Sequence, residues 1–177
     1  RYRVNVVADR SALAGAPVVT ENFPTRQNLV GSVERVQEGP FAWRADASTI
    51  RAGALLRADG GFLVVQAQDL LTEPGAWDGL KRTIKNGLLE LGGASGGLLG
   101  LPRTLEPDAI PVDVKVVLVG ERSIHDLLYR LDPDFRKLFG VRAEFAPDMP
   151  RTDAAMSRYA DVIAGVCTRD ALPPLTA

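Results

Sequence analysis

Cysteine and histidine are nearly absent from this 177-residue chain, where Cys167 and His125 each stand alone. One cysteine closes no disulfide within the chain, which fits a reducing, cytoplasmic setting. One imidazole excludes sites that need two and leaves few zinc arrangements open, so no metal ligand set is expected. Neither sign of charge dominates: 21 Lys and Arg face 22 Asp and Glu, for a net charge of −1. Without a broad basic field, nucleic acid is not an expected partner. Apolar runs are short, and none approaches the length of a membrane helix. The opening RYRVNVVADRSALAGAP is interrupted by charge within its first ten residues, so no secretory signal is expected. Apolar residues make up 46% of the chain, enough to build a core and to argue against disorder. The length fits one compact domain, or one and the beginning of another. The first residue is Arg rather than Met, so the expectation is a piece of a longer polypeptide.

Hydrophobic periodicity gives a first layout. Residues 1–9 alternate and predict a strand ending near Asp9, after which Gly15, Pro17 and Glu21–Asn22–Phe23–Pro24 punctuate a loop. Residues 25–37 predict a short helix or turn and then a short strand around Val33–Val36. Thr49 is placed as the cap of a helix carrying Ile50, Ala54 and Leu55. Phe62–Val65, directly after Gly60–Gly61, reads as a buried central strand. Residues 74–86 predict an amphipathic helix with Trp77, Leu80 and Ile84 on one face, opened near Pro74 and stopped by Gly87.

Leu88–Leu91 and Leu101–Leu105 flank the glycine-rich GGASGGLLG and read as a hairpin with a flexible tip. Residues 112–119 predict a second central strand, 122–131 a helix ended by Asp132–Pro133, and 134–145 a helical turn and then a strand. Thr152–Asp153 caps a last helix over 153–169. Strands alternating with helices argue for an α/β fold with a mainly parallel, helix-covered sheet.

Familiar catalytic chemistry finds little support. GGASGGLLG has the glycines of a phosphate loop but neither the lysine nor the following helix, and no GxxxxGK[ST] occurs. Nothing fixes a serine or Cys167 beside His125, so His125 reads as a surface or helix-packing residue and Cys167 as a small buried hydrophobe. The pairs Glu106/Asp108 and Asp132/Asp134 flank prolines and read as caps and turns. Arg136, Arg142 and Arg151 read first as a solvated or ion-paired face. No catalytic residue is assigned.

The order of parts is more telling. An apolar strand runs into Gln66-Ala-Gln-Asp69 and a helix. After a hairpin, a second apolar strand ends at Gly120-Glu121-Arg122, followed by a helix and an arginine-bearing segment. In a nucleotide-driven motor the first strand sets a carboxylate beside magnesium, the second a polar sensor at the γ-phosphate, and the later arginine reaches a neighbouring subunit's nucleotide.

On these words the chain resembles the AAA+ module of Lon-like proteases, in the branch whose module is interrupted by a long insertion. The matching segments are RYRVNVVAD (1–9), GAPVVTENFPTRQNLVGSVE (15–34), STIRAGALLRADGGFLVVQAQDLL (48–71), AWDGLKRTIKNG (76–87), LEPDAIPVDVKVVLVGER (105–122) and LDPDFRKLFGVRAEFAPDMPR (131–151), with RAGALLRADGGFLVV the most specific.

The resemblance implies a partial AAA+, P-loop NTPase-like sheet flanked by helices over 1–150. Residues 151–177 would begin the small helical lid. It also implies a homo-oligomeric ring, a hexamer in the full-length protein, that feeds unfolded polypeptide to a Ser-Lys peptidase domain. That domain should lie downstream and the Walker A loop upstream, neither in this chain. In the ring, the tip 92–100 would face the pore, with Leu98 and Leu99 touching substrate. Gln66, Asp69, Glu121, Arg122, Arg136 and Arg142 are the positions the resemblance places at the nucleotide.

Three departures stand out. Gln66 occupies the usual Asp position and Ala67 that of the catalytic Glu, so no charge is supplied to hold magnesium. Glu121 replaces a frequent Asp. Gly140 and Leu138 depart from the arginine-finger pattern, leaving Arg142 the nearest candidate and Arg136 the second. These favour the ATP-independent branch, with ATP and Mg²⁺ confined to the full-length protein if they bind at all and none held by this piece. The alternative reading is a non-enzymatic AAA-like scaffold that oligomerises or binds a partner. A third is an active ATPase.

Overall fold

A run of five apolar or amide side chains between two glycines and a helix sets the centre of the sheet. In the computed structural model, which describes residues 5–9, 11, 14–34, 36–37, 43–44, 47–91 and 108–173, this run is strand β6, Phe62–Gln66. It lies between β1 (Val18–Glu21) and β9 (Lys115–Val119) in a parallel three-stranded sheet of order β1-β6-β9. Between β1 and β6 come α1 (Arg26–Val30), β2 (Gly31–Val33), β3 (Val36–Gln37), β4 (Trp43–Arg44), β5 (Ile50–Ala52) and α2 (Ala54–Arg57). Between β6 and β9 come α3 (Ala67–Thr72), α4 (Ala76–Asn86), β7 (Leu88–Leu89) and β8 (Ile110–Pro111). After β9 follow α5 (Arg122–Leu131), α6 (Phe135–Leu138) and α7 (Asp153–Arg169). The chain forms two compact units, Arg1–Gly140 and Val141–Ala177.

The sheet has two unlike faces because successive side chains alternate. Leu63 and Val65 are buried, and with Leu29, Leu55, Leu70, Leu80 and Leu89 they form the core beneath α1, α2 and α4. On the opposite face Val18, Phe62, Val117 and Val119 are exposed. The motif RAGALLRADGGFLVV is structural in content. Ala54, Leu55 and Leu56 of α2 are buried, Gly60 takes the left-handed conformation (φ 73°), and a Cβ at Gly61 would stand 2.1 Å from the Pro17 carbonyl oxygen. Gly61 therefore lets β1 and β6 approach, with the Phe62 N–H donating to Pro17 O at 2.8 Å.

Several expectations hold: β6, β9, α4 with Gly87 as its left-handed cap, α5 ending before Asp132–Pro133, and α7 capped by Thr152, whose hydroxyl accepts from Ala155 N. Others are corrected. Asn5–Asp9 is not a strand, and residues 1–4 lie outside the described part. Val18–Glu21, expected as loop, is instead β1, because Pro17 sits just before the ladder and leaves its hydrogen bonds intact.

Ile50–Ala52, expected to begin a helix capped by Thr49, pairs with β2. The helix starts only after Gly53, whose absent side chain lets it lie against Leu29 O, 2.2 Å from where a Cβ would be. Leu88–Leu89 pairs with Ile110–Pro111; the expected partner Leu101–Leu105 and the tip 92–100 lie outside the described residues.

β9 is the outer strand of the three rather than a central one. The strand expected after the helical turn in 134–145 is not formed: residues 141–145 are exposed, and among the described residues of their unit no strand offers a ladder. α7 buries no residue within its unit, so Cys167 is half-buried rather than buried. A short helix, α3, directly follows β6 where only a linking sequence was expected.

Candidate functional site

Parallel register brings the C-terminal tips of β6 and β9 side by side: Val65 pairs with Leu118 and Gln66 with Val119. The turns leaving these tips carry four of the six expected site residues. Gln66 is exposed at the N-cap of α3, and Asp69 is exposed in that helix's first turn. Glu121 is the N-cap of α5, its carboxylate accepting from Ser123 Oγ at 3.2 Å, and Arg122 opens that helix. Gln66 and Asp69 on one side and Glu121 and Arg122 on the other thus share one end of the sheet.

The remaining two are carried by other segments of the chain. Arg136 is on α6 with its guanidinium over the Tyr129 ring, 5.4 Å from the centroid. Arg142 belongs to the second unit and pairs with Glu144 at 3.0 Å.

Ala67 decides what the tips can do. It is 4% exposed, and a Cβ built on Gly120 would meet the Ala67 Cβ at 3.1 Å. The two tips close on each other through a methyl group facing a hydrogen. The chemistry of a magnesium–nucleotide site needs an anionic oxygen at the first strand tip and a base beside it. Here Gln66 offers a neutral amide and Ala67 no polar atom. Among the described residues no group of three or more His, Cys, Asp or Glu is gathered to hold a metal ion. At positions 66 and 67 the residues present therefore supply neither of these groups.

The most developed polar arrangement was not expected at this strength. Asp132 Oδ2 accepts from Trp77 Nε1 at 2.8 Å and Lys81 Nζ at 2.7 Å, while Oδ1 accepts from the backbone N–H groups of Asp134 (3.0 Å) and Phe135 (3.3 Å). Burial pushes the carboxyl upward, but the bonds from Lys81, Trp77 and Asp134 and the Lys81 charge outweigh it and hold it at about 2. Lys81 is likewise pushed down by burial and, on balance, raised by Asp132 and Asp78. The capping role expected for Asp132 is observed. The α4 partners were legible only as a stripe of Trp77, Lys81 and Lys85 spaced four apart, with Lys85 pairing to Asp134 at 3.3 Å.

His125 is a packing residue, as expected. It stacks on Tyr129, meets Phe135 edge-on and contacts Asp126 Oδ1 at 3.2 Å.

A parallel sheet whose turns gather at the C-terminal tips of neighbouring strands defines an open α/β module. A family model described as LonB-like, AAA domain, matches residues 14–146, and the chain belongs to that family. Among solved structures it is similar to NtrX from Brucella abortus, at 16% identity and a TM-score of 0.54, over 90% of this chain and 33% of that one. It is also similar to NtrX from Brucella abortus in complex with ADP, at 15% identity and a TM-score of 0.56, over 90% of this chain and 32% of that one. The chain thus spans about a third of the length of these structures, and the likeness concerns the fold alone. No curated protein matches. No helix among the described residues is long and apolar enough to cross a membrane.

Proposed function

We propose that this module builds the ring of a Lon-like protease and passes unfolded polypeptide to a Ser-Lys peptidase domain, with a nucleotide site that has lost its chemistry. The observation that carries the second half is Ala67, buried against Gly120 where an active motor needs a carboxylate. On this reading Gln66, Asp69, Glu121 and Arg122 are polar remnants lining the old cleft, and Arg136 and Arg142 serve contacts between copies in a hexamer rather than a phosphate. Family membership supports the Lon-like assignment.

The test uses the full-length protein with an unfolded substrate. Degradation at the same rate with and without Mg²⁺-ATP, and no magnesium-dependent binding of labelled ATP, is the expected result. Tight magnesium-dependent binding would overturn it in favour of an active ATPase, the reading that the ADP-bound NtrX neighbour favours. Absence of any proteolysis would instead favour a non-enzymatic scaffold. Deleting residues 93–99 should slow degradation of an unfolded substrate while leaving cleavage of a short peptide intact; unchanged degradation would remove that segment from substrate handling.

A further inference from the structure

The α5–α6 corner is attached to the sheet unit in an unusual way. Its buried residues, Leu128 and Phe135, stand apart from the main core cluster. They belong to a satellite in which Phe135 packs on Trp77, Phe139 and His125, at centroid distances of 6.3, 5.1 and 5.6 Å. Trp77 is the residue that touches both, being packed against the main core and stacked on Phe139 at 6.0 Å. Small satellite clusters open at lower free energy than the core they adjoin.

Asp132 sits at the join, and its two oxygens divide the work. One takes the donors of α4, the other caps the first turn of α6. Among the described residues two ion pairs run from α4 to the corner: Lys81–Asp132 is mostly buried (side chains 18% and 14% exposed), while Lys85–Asp134 lies in solvent (59% and 37%). Surface pairs contribute little, so the ionic part of the hold rests on Asp132.

We propose that Asp132 is a latch: its carboxylate fixes the corner Asp132–Phe139 onto α4, so that this corner can be released as a unit while the sheet stays folded. Asp132 is thereby the positioning residue for Arg136, which α6 carries. The inference stands on the α4–α6 geometry and holds whichever way the nucleotide reading falls.

Native-state hydrogen exchange on the whole chain tests it, comparing the amides of Lys137, Leu138 and Phe139, which bond back to Asp134 and Phe135, with those of β6. D132N should speed exchange at the three corner amides by about ten- to a hundredfold, the loss of a hydrogen-bonded charge, and leave β6 within about twofold. K81M should act in the same place more weakly. The D132N/K81M double variant should resemble D132N, because both remove one interaction. Acid should reproduce the release as Asp132 is protonated near pH 2. His125, Asp78, Lys85 and Asp134 also stand at this junction, so the test is that the parent responds to acid more than D132N does. Equal acceleration in β6, multiplication of the two single effects, or no acceleration at the corner would each overturn the latch, as would global unfolding by D132N.

Discussion

Restoring the missing acids at the strand tips should push stability in opposite directions at adjacent positions. Gln66 is exposed at the N-cap of α3 and makes no side-chain capping bond. Asp there can accept from the first-turn N–H groups, so Q66D should stabilise by up to about 1 kcal/mol. Ala67 is 4% exposed with Gly120 directly against it. Glu at 67 must seat its extra atoms where a single added carbon at 120 would already crowd, a cost of about 1–3 kcal/mol. Desolvating the carboxylate adds about 1–3 kcal/mol. The helix N-terminus returns only about 0.3–1 kcal/mol.

A67E should therefore lose about 3 kcal/mol, which lowers the melting temperature by about 6–12 °C in a chain of this size. Urea denaturation of the parent, Q66D, A67E and Q66D/A67E, with ATP titrated in Mg²⁺ by calorimetry, reads both effects. The double variant should be less stable than Q66D and should not turn over ATP. An A67E variant as stable as the parent would refute the closed-tip argument, because it would show that the position tolerates the motor's acid.

Other outcomes follow from single contacts. G61A should cost about 3 kcal/mol by urea denaturation, because its Cβ would lie 2.1 Å from Pro17 O and force β1 off β6. Holding Asp132 at about 2 instead of its ordinary 3.8 contributes about 2 kcal/mol. A depressed carboxyl stabilises above its unfolded value, so this contribution is complete above about pH 5 and is lost as pH falls through 3.8 towards 2. Urea midpoints across that range should drop in the parent and flatten in D132N. T152A removes the hydroxyl that accepts from Ala155 N and should cost α7 about 1 kcal/mol, read as lost helicity by circular dichroism.

The sequence displayed its strongest elements where period and punctuation agree. Phe62–Val65 is bounded by glycines, α4 ends on Gly87 and α7 begins on Thr152, and all three lie where their own residues place them. It hid β1, because the prolines and Asn22 around Val18–Glu21 are also loop residues, and what makes this segment a strand is β6 on the other side of a long excursion. Ile50–Ala52 deceived for the same reason: helical spacing with Ala54 is local, while pairing with Gly31–Val33 is not.

The gathering of Gln66 with Glu121 was readable from the order of parts, since parallel strands put their following turns at one end. The packing of Ala67 on Gly120 was not, because it depends on register rather than spacing. Nor was Asp132's bond to Trp77, which joins residues 55 positions apart.

That indole bond has a practical use. Trp77 donates to a carboxylate whose other oxygen is committed to a different helix, so its surroundings change when the two part. The chain holds one further tryptophan, Trp43, and replacing it with Phe leaves a single tryptophan, at the junction, which excitation at the red edge selects over the three tyrosines. The fluorescence of that indole would follow the seating of α6 in real time, with no dye attached.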